Sequence, residues 1–332
     1  MKLITIQNNL GVAKYTQIIH AIEKAIQHNK IQLGEKLPSI NKVRMEHQIS
    51  RDTVLQAYEE LKKRGLIYAI PGKGYYLKSI EIAIEKKIFL LFDELNIFKE
   101  DIYNAFLSNL DKQTQVDLYF HHFNIAVFKK LITEANGKYT KYIIMPTALT
   151  EAATLLKTLP VNDVYILDQT NPNLKHYPAV YQNFIKDIYE ALKKEKNRLE
   201  NYSQFILIFP GFREPLGMKE GFIKYCRKNT LKHEIITEFK DRKISKGDLY
   251  IIPNDRDLVH VIEASKEQKL KLGTDFGIIS YNDTPLKKVV ENGITTISTN
   301  FHAMGKEMAK MVQKNEKKQI ENECNVILRN SF

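Results

Sequence analysis

Apolar residues follow a helical period through the first 65 residues and then change rhythm. Ile18, Ile22, Ala25 and Ile26 fall on one helix face. Gly34 breaks the chain, and Pro38 stands just ahead of Ser39, a good helix N-cap. Ile40 and Val43 give the next helix a short apolar face, and His47-Gln48-Ile49 reads as a turn. Ser50 is the next N-cap. Val54, Ala57, Tyr58 and Leu61 then point a third helix inward, leaving Arg51, Asp52, Thr53 and Gln56 on its first turn and outer face. Gly65 suits the C′ position that ends that helix. Residues 66–70 and 75–77 read as two strands joined by Pro71-Gly72-Lys73-Gly74, where glycines let the backbone turn at positive φ and Lys73 takes the tip. Helix, turn, helix and hairpin in this order predict a winged helix-turn-helix, with polar groups at the start of the third helix available to bases and phosphates.

After Lys87 short apolar runs alternate with amphipathic stretches. The runs are KIFLLF (87–92), VDLYF (116–120), YIIMP (142–146), VYILD (164–168), FILIF (205–209), LYIIP (249–253) and FGIIS (276–280). Candidate helices lie at 99–110, 183–194 and 256–269. Strands buried on both faces read as continuous apolar runs, and their alternation with helices implies parallel sheets. Seven strands over this length suit two α/β lobes better than one. The predicted fold class is therefore α/β: a winged helix-turn-helix at 1–79, a linker at 80–86 and a two-lobed domain at 87–332.

Ligands of such sheets bind outside the carboxyl ends of the strands, and those ends are polar here. The first run is followed by Asp93, Glu94 and Asn96, the fourth ends in Asp168-Gln169, the sixth in Asn254-Asp255 and the seventh in Tyr281-Asn282-Asp283. With Phe98 and Tyr281 nearby, the set suits a hydroxyl-rich ligand, since carboxylates accept from vicinal hydroxyls and a ring covers an apolar sugar face. The plainer alternative is that these Asp and Asn residues cap the helices that follow them.

The chain carries a net charge of +11, and its first 80 residues hold 13 Lys and Arg against 6 Asp and Glu. That excess favours phosphate contact. Cys226 and Cys324 form neither a disulfide framework nor a metal pattern. The start MKLITIQNN lacks the apolar core of a signal peptide, and no run reaches the ~18 apolar residues of a membrane span. A cytoplasmic location is expected. No Walker A loop or G-x-G-x-x-G fingerprint occurs, and no nucleophile–base arrangement has motif support, so neither cofactor nor enzymatic activity is expected. His121-His122 would point to opposite faces of a strand and could not share a metal.

LPSI, SRDTV, AYEEL, RGLI and PGKGYYL, in that order and spacing, resemble the DNA-binding domain of the GntR family of bacterial transcription regulators. The resemblance implies DNA contacts at Asn41, Ser50, Arg51, Thr53, Gly72 and Lys73. The family usually has arginine where Asn41 stands; either Lys42 or Arg44 supplies the missing charge, or the operator sequence differs. Downstream, IIPND, GTDFGIISYNDTPL, NGITTISTNFHAMGKEMAKMV and VILRNS resemble the LacI-type sugar-binding domain, itself similar to periplasmic binding proteins. This second resemblance implies two lobes joined by three crossovers, the first at about 87–178 and 299–319 and the second at about 179–298 and 320–332, together with dimerisation and a sugar in the cleft. It carries ligand contact onto Asn96, Phe98, Asp168, Asn254 or Asp255, Asn282 and Thr299. The family's clamp arginine would fall at Met218, and Arg213 in the same stretch is the candidate replacement.

Together these readings predict a homodimeric regulator, a repressor in the family's usual manner, binding double-stranded operator DNA and a monosaccharide effector. The alternatives are an enzyme with a DNA-binding arm and a regulator that senses a phosphorylated metabolite.

Overall fold

A computed structural model describes residues 3–7, 12–80, 86–147, 149, 151–211, 213–240 and 242–332. Residues 81–85, most of the expected linker, lie outside them.

The first unit contains α1 (Lys14–Gln27), α2 (Ile40–His47), α3 (Arg51–Lys63), β1 (Ile67–Ile70) and β2 (Gly74–Leu77). Both predicted serine caps form: Ser39 Oγ accepts from Lys42 N at 3.2 Å and Ser50 Oγ from Thr53 N at 3.1 Å. Between α2 and α3 the chain turns through Gln48 in the left-handed region. Ile18, Ile22, Val43, Val54, Ala57, Tyr58 and Leu61 share one core, as their periodicity requires. The Tyr58 hydroxyl donates to Pro38 O at 2.7 Å, which pins the start of α2 to α3. The wing gains backbone partners the pattern did not reveal. Gly34 N donates to Leu77 O, Leu77 N to Glu35 O and Leu37 N to Tyr75 O, so residues 34–37 cover the outer edge of β2.

The second unit begins with β3 (Lys87–Phe92), α4 (Ile97–Ser108), β4 (Gln115–Phe120), α5 (Ile125–Ala135), β5 (Lys141–Ile144), α6 (Ala152–Leu156), β6 (Val164–Asp168) and β7 (Ala179–Tyr181). It crosses to a second lobe for α7 (Phe184–Lys194), α8 (Lys196–Leu199), β8 (Gln204–Ile208), α9 (Leu216–Lys228), β9 (His233–Ile236), β10 (Asp248–Ile252), α10 (Asp255–Glu267), β11 (Gly277–Tyr281), α11 (Pro285–Val289) and β12 (Thr295–Thr299). It returns for α12 (Phe301–Gln313) and β13 (Gln319–Glu321), then crosses a third time into β14 (Cys324–Ile327).

The first sheet has the order β13-β7-β6-β5-β3-β4, parallel throughout. The second has the order β14-β12-β11-β10-β8-β9, parallel except for the antiparallel β14. The first sheet takes in β7 and β13, so two crossovers fall after Tyr181 and Glu321 rather than at 178 and 319. Strand order reverses around β3 in one lobe and β8 in the other, which makes the loops after these two strands the ligand-binding positions of each sheet. Two glycines allow close helix packing. A Cβ at Gly221 of α9 would lie 2.5 Å from Ile185 O of α7, and one at Gly305 of α12 would lie 2.3 Å from Ile102 O of α4.

Candidate nucleic-acid interface and effector cleft

On the helix-turn-helix, Asn41, Lys42, Arg44, Ser50, Arg51, Asp52, Gln56, Gly72 and Lys73 are exposed, and Thr53 is half-buried. The fold explains this. Val43, Val54 and Ala57 turn inward, so the residues between them on α2 and at the start of α3 face out. Gly72 and Gly74 take φ of 73° and 112°, and Lys73 N donates to Ile70 O at 3.0 Å, closing the tight turn that carries the Lys73 side chain. Tyr68 and Tyr76 stack at 5.6 Å on the wing.

The cleft ends of the two sheets are more crowded than the sequence suggested. Asp93, after β3, and Asp168, at the end of β6, meet on Lys99, which lies on the first turn of α4. Lys99 Nζ is 3.1 Å from Asp93 Oδ1 and 2.7 Å from Asp168 Oδ2, and it contacts Met145 Sδ at 3.2 Å. All three residues are 3% exposed. Burial alone would pull the Lys99 ammonium down, but Asp168 and Asp93 outweigh it and hold it above its ordinary value. Burial likewise works against the Asp93 carboxylate, and Lys99 with the Glu94 backbone amide reverses this and keeps it low. Thr147 donates to Asp93 Oδ2 at 3.2 Å, and Gln182 Nε2 donates to Asp168 Oδ1. Lys99 was not among the predicted site residues. Its signal was nonetheless legible: a lysine in the first turn of a helix opposes the helix dipole and calls for a carboxylate partner.

The other predicted positions divide. Asn96 and Asn254 are N-caps, their Oδ1 atoms accepting from Lys99 N at 3.0 Å and Asp257 N at 2.9 Å. Thr299 is engaged at the crossover, donating to Glu323 O at 3.0 Å and accepting from Asn322 Nδ2 at 2.7 Å. Phe98 stacks on Phe301 at 5.0 Å. Asp255 pairs at 3.1 Å with the buried Lys287, whose Nζ also donates to Tyr281 O and Asn282 O. Met218 belongs to the core face of α9, so the expected clamp position is a packing residue. Arg213 is exposed and reaches across from the loop after β8 to Glu94 Oε2 at 3.1 Å, with its guanidinium 5.3 Å from the Phe123 ring centre. The two switch-point loops thus touch each other. His121 and His122 follow β4 rather than lying on it. His121 is buried with Nε2 2.9 Å from Met145 O, and no group of three ligating side chains capable of holding a metal occurs among the described residues.

Near the hinge several buried polar atoms lack any partner: Gln182 Oε1, Asp187 Oδ2, Tyr281 Oη and Asn282 Oδ1. Asp187 is 8% exposed on α7; burial, and then the Glu321 carboxylate, push its carboxyl up to about 7. Burial, helped by Cys324, Asp187 and Asp168, pushes the Tyr281 hydroxyl well above its usual range, which places that hydroxyl in the field of a carboxylate from each lobe. Native proteins rarely leave such groups unpaired, and unmatched buried atoms mark where water or a ligand belongs. Sequence reading missed Asp187, although it sits on the otherwise apolar face formed by Phe184, Ile188, Ala191 and Leu192. Strand-end backbone is also unusual here: His122, Thr147, Asp168 and Asn282 take φ of 50°, 49°, 74° and 60°. Two shallow hollows of about 190 and 510 Å³ lie at the opposite, amino ends of the strands, beside Pro178 and Lys318 in one lobe and Gln204 and His233 in the other.

An exposed helix-turn-helix with a wing, joined to two parallel-sheet lobes with three crossovers, defines a DNA-reading head on a cleft-forming ligand-binding body. Comparison with known families gives each part its name. Residues 14–77 match the family described as bacterial regulatory proteins, gntR family, and residues 200–332 match the periplasmic binding protein-like domain. The chain therefore consists of a GntR-family helix-turn-helix domain followed by a periplasmic-binding-protein-like domain. The uncharacterised helix-turn-helix regulator YcxD of Bacillus subtilis is 42% identical over 64 residues, 19% of this chain and 14% of that protein. YydK of the same organism is 31% identical over 65 residues, 20% of this chain and 28% of that protein. The chain thus matches less than a third of the length of these relatives, and the likeness is confined to the head. Among solved structures, the Lac repressor bound to ONPG superposes with a TM-score of 0.63 at 15% identity, covering 87% of this chain and 94% of that one. A periplasmic binding protein/LacI transcriptional regulator from Alkaliphilus metalliredigens, complexed with D-xylulofuranose, gives 0.58 at 14% identity over 74% of this chain and 98% of that one. The Lac repressor dimer bound to operator and an anti-inducer gives 0.60 at 14% identity over 75% and 94%. These structures share the fold. No helix among the described residues is long and apolar enough to cross a membrane.

Proposed function

We propose that this protein is a cytoplasmic transcription regulator, without enzymatic activity, that binds operator DNA as a homodimer and responds to a small polyhydroxylated effector, with repression as the ordinary output. The observation that carries the reading is the joining, in one chain, of an outward-facing α3 start and wing to a cleft lined by buried, unpartnered polar atoms. Support for dimeric operator binding comes from the Lac repressor dimer on its operator, and support for a sugar from the relative crystallised with D-xylulofuranose. Arg51, Gln56 and Lys73 are the residues placed to meet bases and phosphates. Asp168, Gln182, Tyr281 and Asn282 are those placed to meet the effector. Effector and DNA then act on one another reciprocally, each changing the other's affinity by the same factor.

The test uses full-length protein and duplex DNA selected from a random pool. Arg51→Ala should weaken binding of the selected duplex by about 5- to 150-fold, the roughly 1–3 kcal/mol of one good base contact, without lowering the melting temperature. Unchanged affinity would remove α3 from the interface. A melting-temperature rise with monosaccharides that disappears in Asn282→Ala supports the cleft, and a rise that survives the substitution moves the effector elsewhere.

A further inference from the structure

The hinge side of the cleft has a surplus of acceptors. Asp187 Oδ2, Gln182 Oε1 and Asn282 Oδ1 wait for donors, and the Tyr281 hydroxyl is the one orphaned group among these four that can donate. Charge runs the same way. Asp93, Asp168, Asp187 and Glu321 are four carboxylates, and the ammonium groups paired with them are Lys99 and Lys186. Lys99 is consumed by Asp93 and Asp168, and Lys186 by Glu321 at 2.6 Å. Asp187 forms no ion pair among the described residues, and the Lys186 charge acts on it only from a distance. The groups facing it are Asn183 and Lys186 on its own helix, Glu321 on β13, Cys324 on β14 and Tyr281 on β11. Arg213, the cation expected in the pocket, is engaged by Glu94 across the two switch-point loops.

We propose that the effector carries a protonated amine, which donates to Asp187 beside the Tyr281 hydroxyl, while hydroxyls on the same molecule meet Gln182 and the Asp168 side of the cleft. This rests on the cleft being the effector site, as proposed above. An ammonium group brings donors and a positive charge, which match the orphaned Asp187 oxygen and the lack of an ion pair on that carboxylate. A hydroxyl brings one donor and no charge. A phosphate brings acceptors and negative charge to a place that already has too much of both. The raised Asp187 carboxyl is the expected state of such a site when empty, since a proton stands where the ammonium would.

Three matched series test this on the full-length protein by thermal shift and calorimetry: sorbitol and common aldoses, their amino-deoxy derivatives such as glucamine, and their phosphates. The amino series should raise the melting temperature most. Its best member should bind about tenfold more tightly at pH 8 than at pH 6, because docking needs Asp187 deprotonated and its carboxyl titrates near 7. Asp187→Asn should abolish both the amine preference and this pH dependence. Tyr281→Phe, which removes an unpartnered hydroxyl and so keeps the fold, should weaken binding of the same compound. A neutral or phosphorylated series that binds best, with sensitivity to Tyr281→Phe, would overturn the amine while leaving the cleft as the effector site. An amine response unchanged in Asp187→Asn would overturn the docking assignment. No shift from any series would overturn the small-effector reading and this inference with it.

Discussion

Replacing Lys99 with methionine keeps the length of the side chain and deletes its charge, leaving Asp93 and Asp168 buried without their shared cation. The three side chains are 4% and 5% exposed, and the contacts are 3.1 and 2.7 Å. Water therefore cannot take over from the lost ammonium. Removing one member of a buried ion cluster typically costs about 3–5 kcal/mol. At about 2–4 °C per kcal/mol for a domain of this size, the melting temperature should fall by roughly 6–20 °C. The pH dependence follows from the signs. Asp93 is depressed in the folded protein, so its contribution is present above its unfolded value and is lost as acid protonates the native carboxylate. Lys99 is raised, so its contribution is present at neutral pH and is lost only at strongly alkaline pH. In Lys99→Met the Asp93 carboxyl loses the charge that holds it low against burial, and acid can neutralise it, so the gap from wild type should narrow between pH 7.5 and pH 5. Adding Asp93→Asn and Asp168→Asn should restore much of the loss, because a neutral trio needs no counter-ion. Circular dichroism melts at the two pH values measure all of this. A loss under about 1 kcal/mol at pH 7.5, where breaking a buried cluster should cost 3–5, would refute the buried triad.

Ser50→Ala should lower the stability of the DNA-reading head by about 1 kcal/mol through the lost N-cap of α3, read by chemical denaturation; no change would mean that the Thr53 amide finds another acceptor. Gly221→Ala should destabilise by about 1–3 kcal/mol, since its methyl would meet Ile185 O and Ile188; a melting temperature at or above wild type would contradict the close α7–α9 contact.

The sequence exposed what depends on local periodicity. The three helices of the head, the caps at Ser39 and Ser50 and the seven apolar runs all appear where the pattern puts them, within a residue or two at most ends. Five strands escaped because they are short, polar or out of the strand-helix rhythm. Thr295–Thr299 is buried along its whole length, yet it reads TTIST; its hydroxyls and amides bond to Arg329, Asp283 and Ser331. Edge strands such as Gln319–Glu321 are short, and β14 runs antiparallel, so neither repeats the strand-helix rhythm. At the cleft, the residue types were legible and their partners were not. Asn96 and Asn254 satisfied the capping alternative, whereas Lys99 and Asp187 matter through residues 69 and 134 positions away, Asp168 and Glu321.

The left-handed backbone at Asp168 and Asn282 limits how this cleft can change over evolutionary time. Most L-residues pay roughly 1–2 kcal/mol in that conformation, and Asn, Asp and Gly pay least. Asn282 can therefore exchange with Asp at little backbone cost, whereas Asp168 is held further by its buried ion pair with Lys99, and larger or branched side chains at either position meet a backbone cost before they meet any effector. Gln182 and Asp187 carry no such restriction, since neither has positive φ. Drift toward a new effector should accordingly run through the hinge-side residues, with the strand-end pair held to a small alphabet by the shape of the chain.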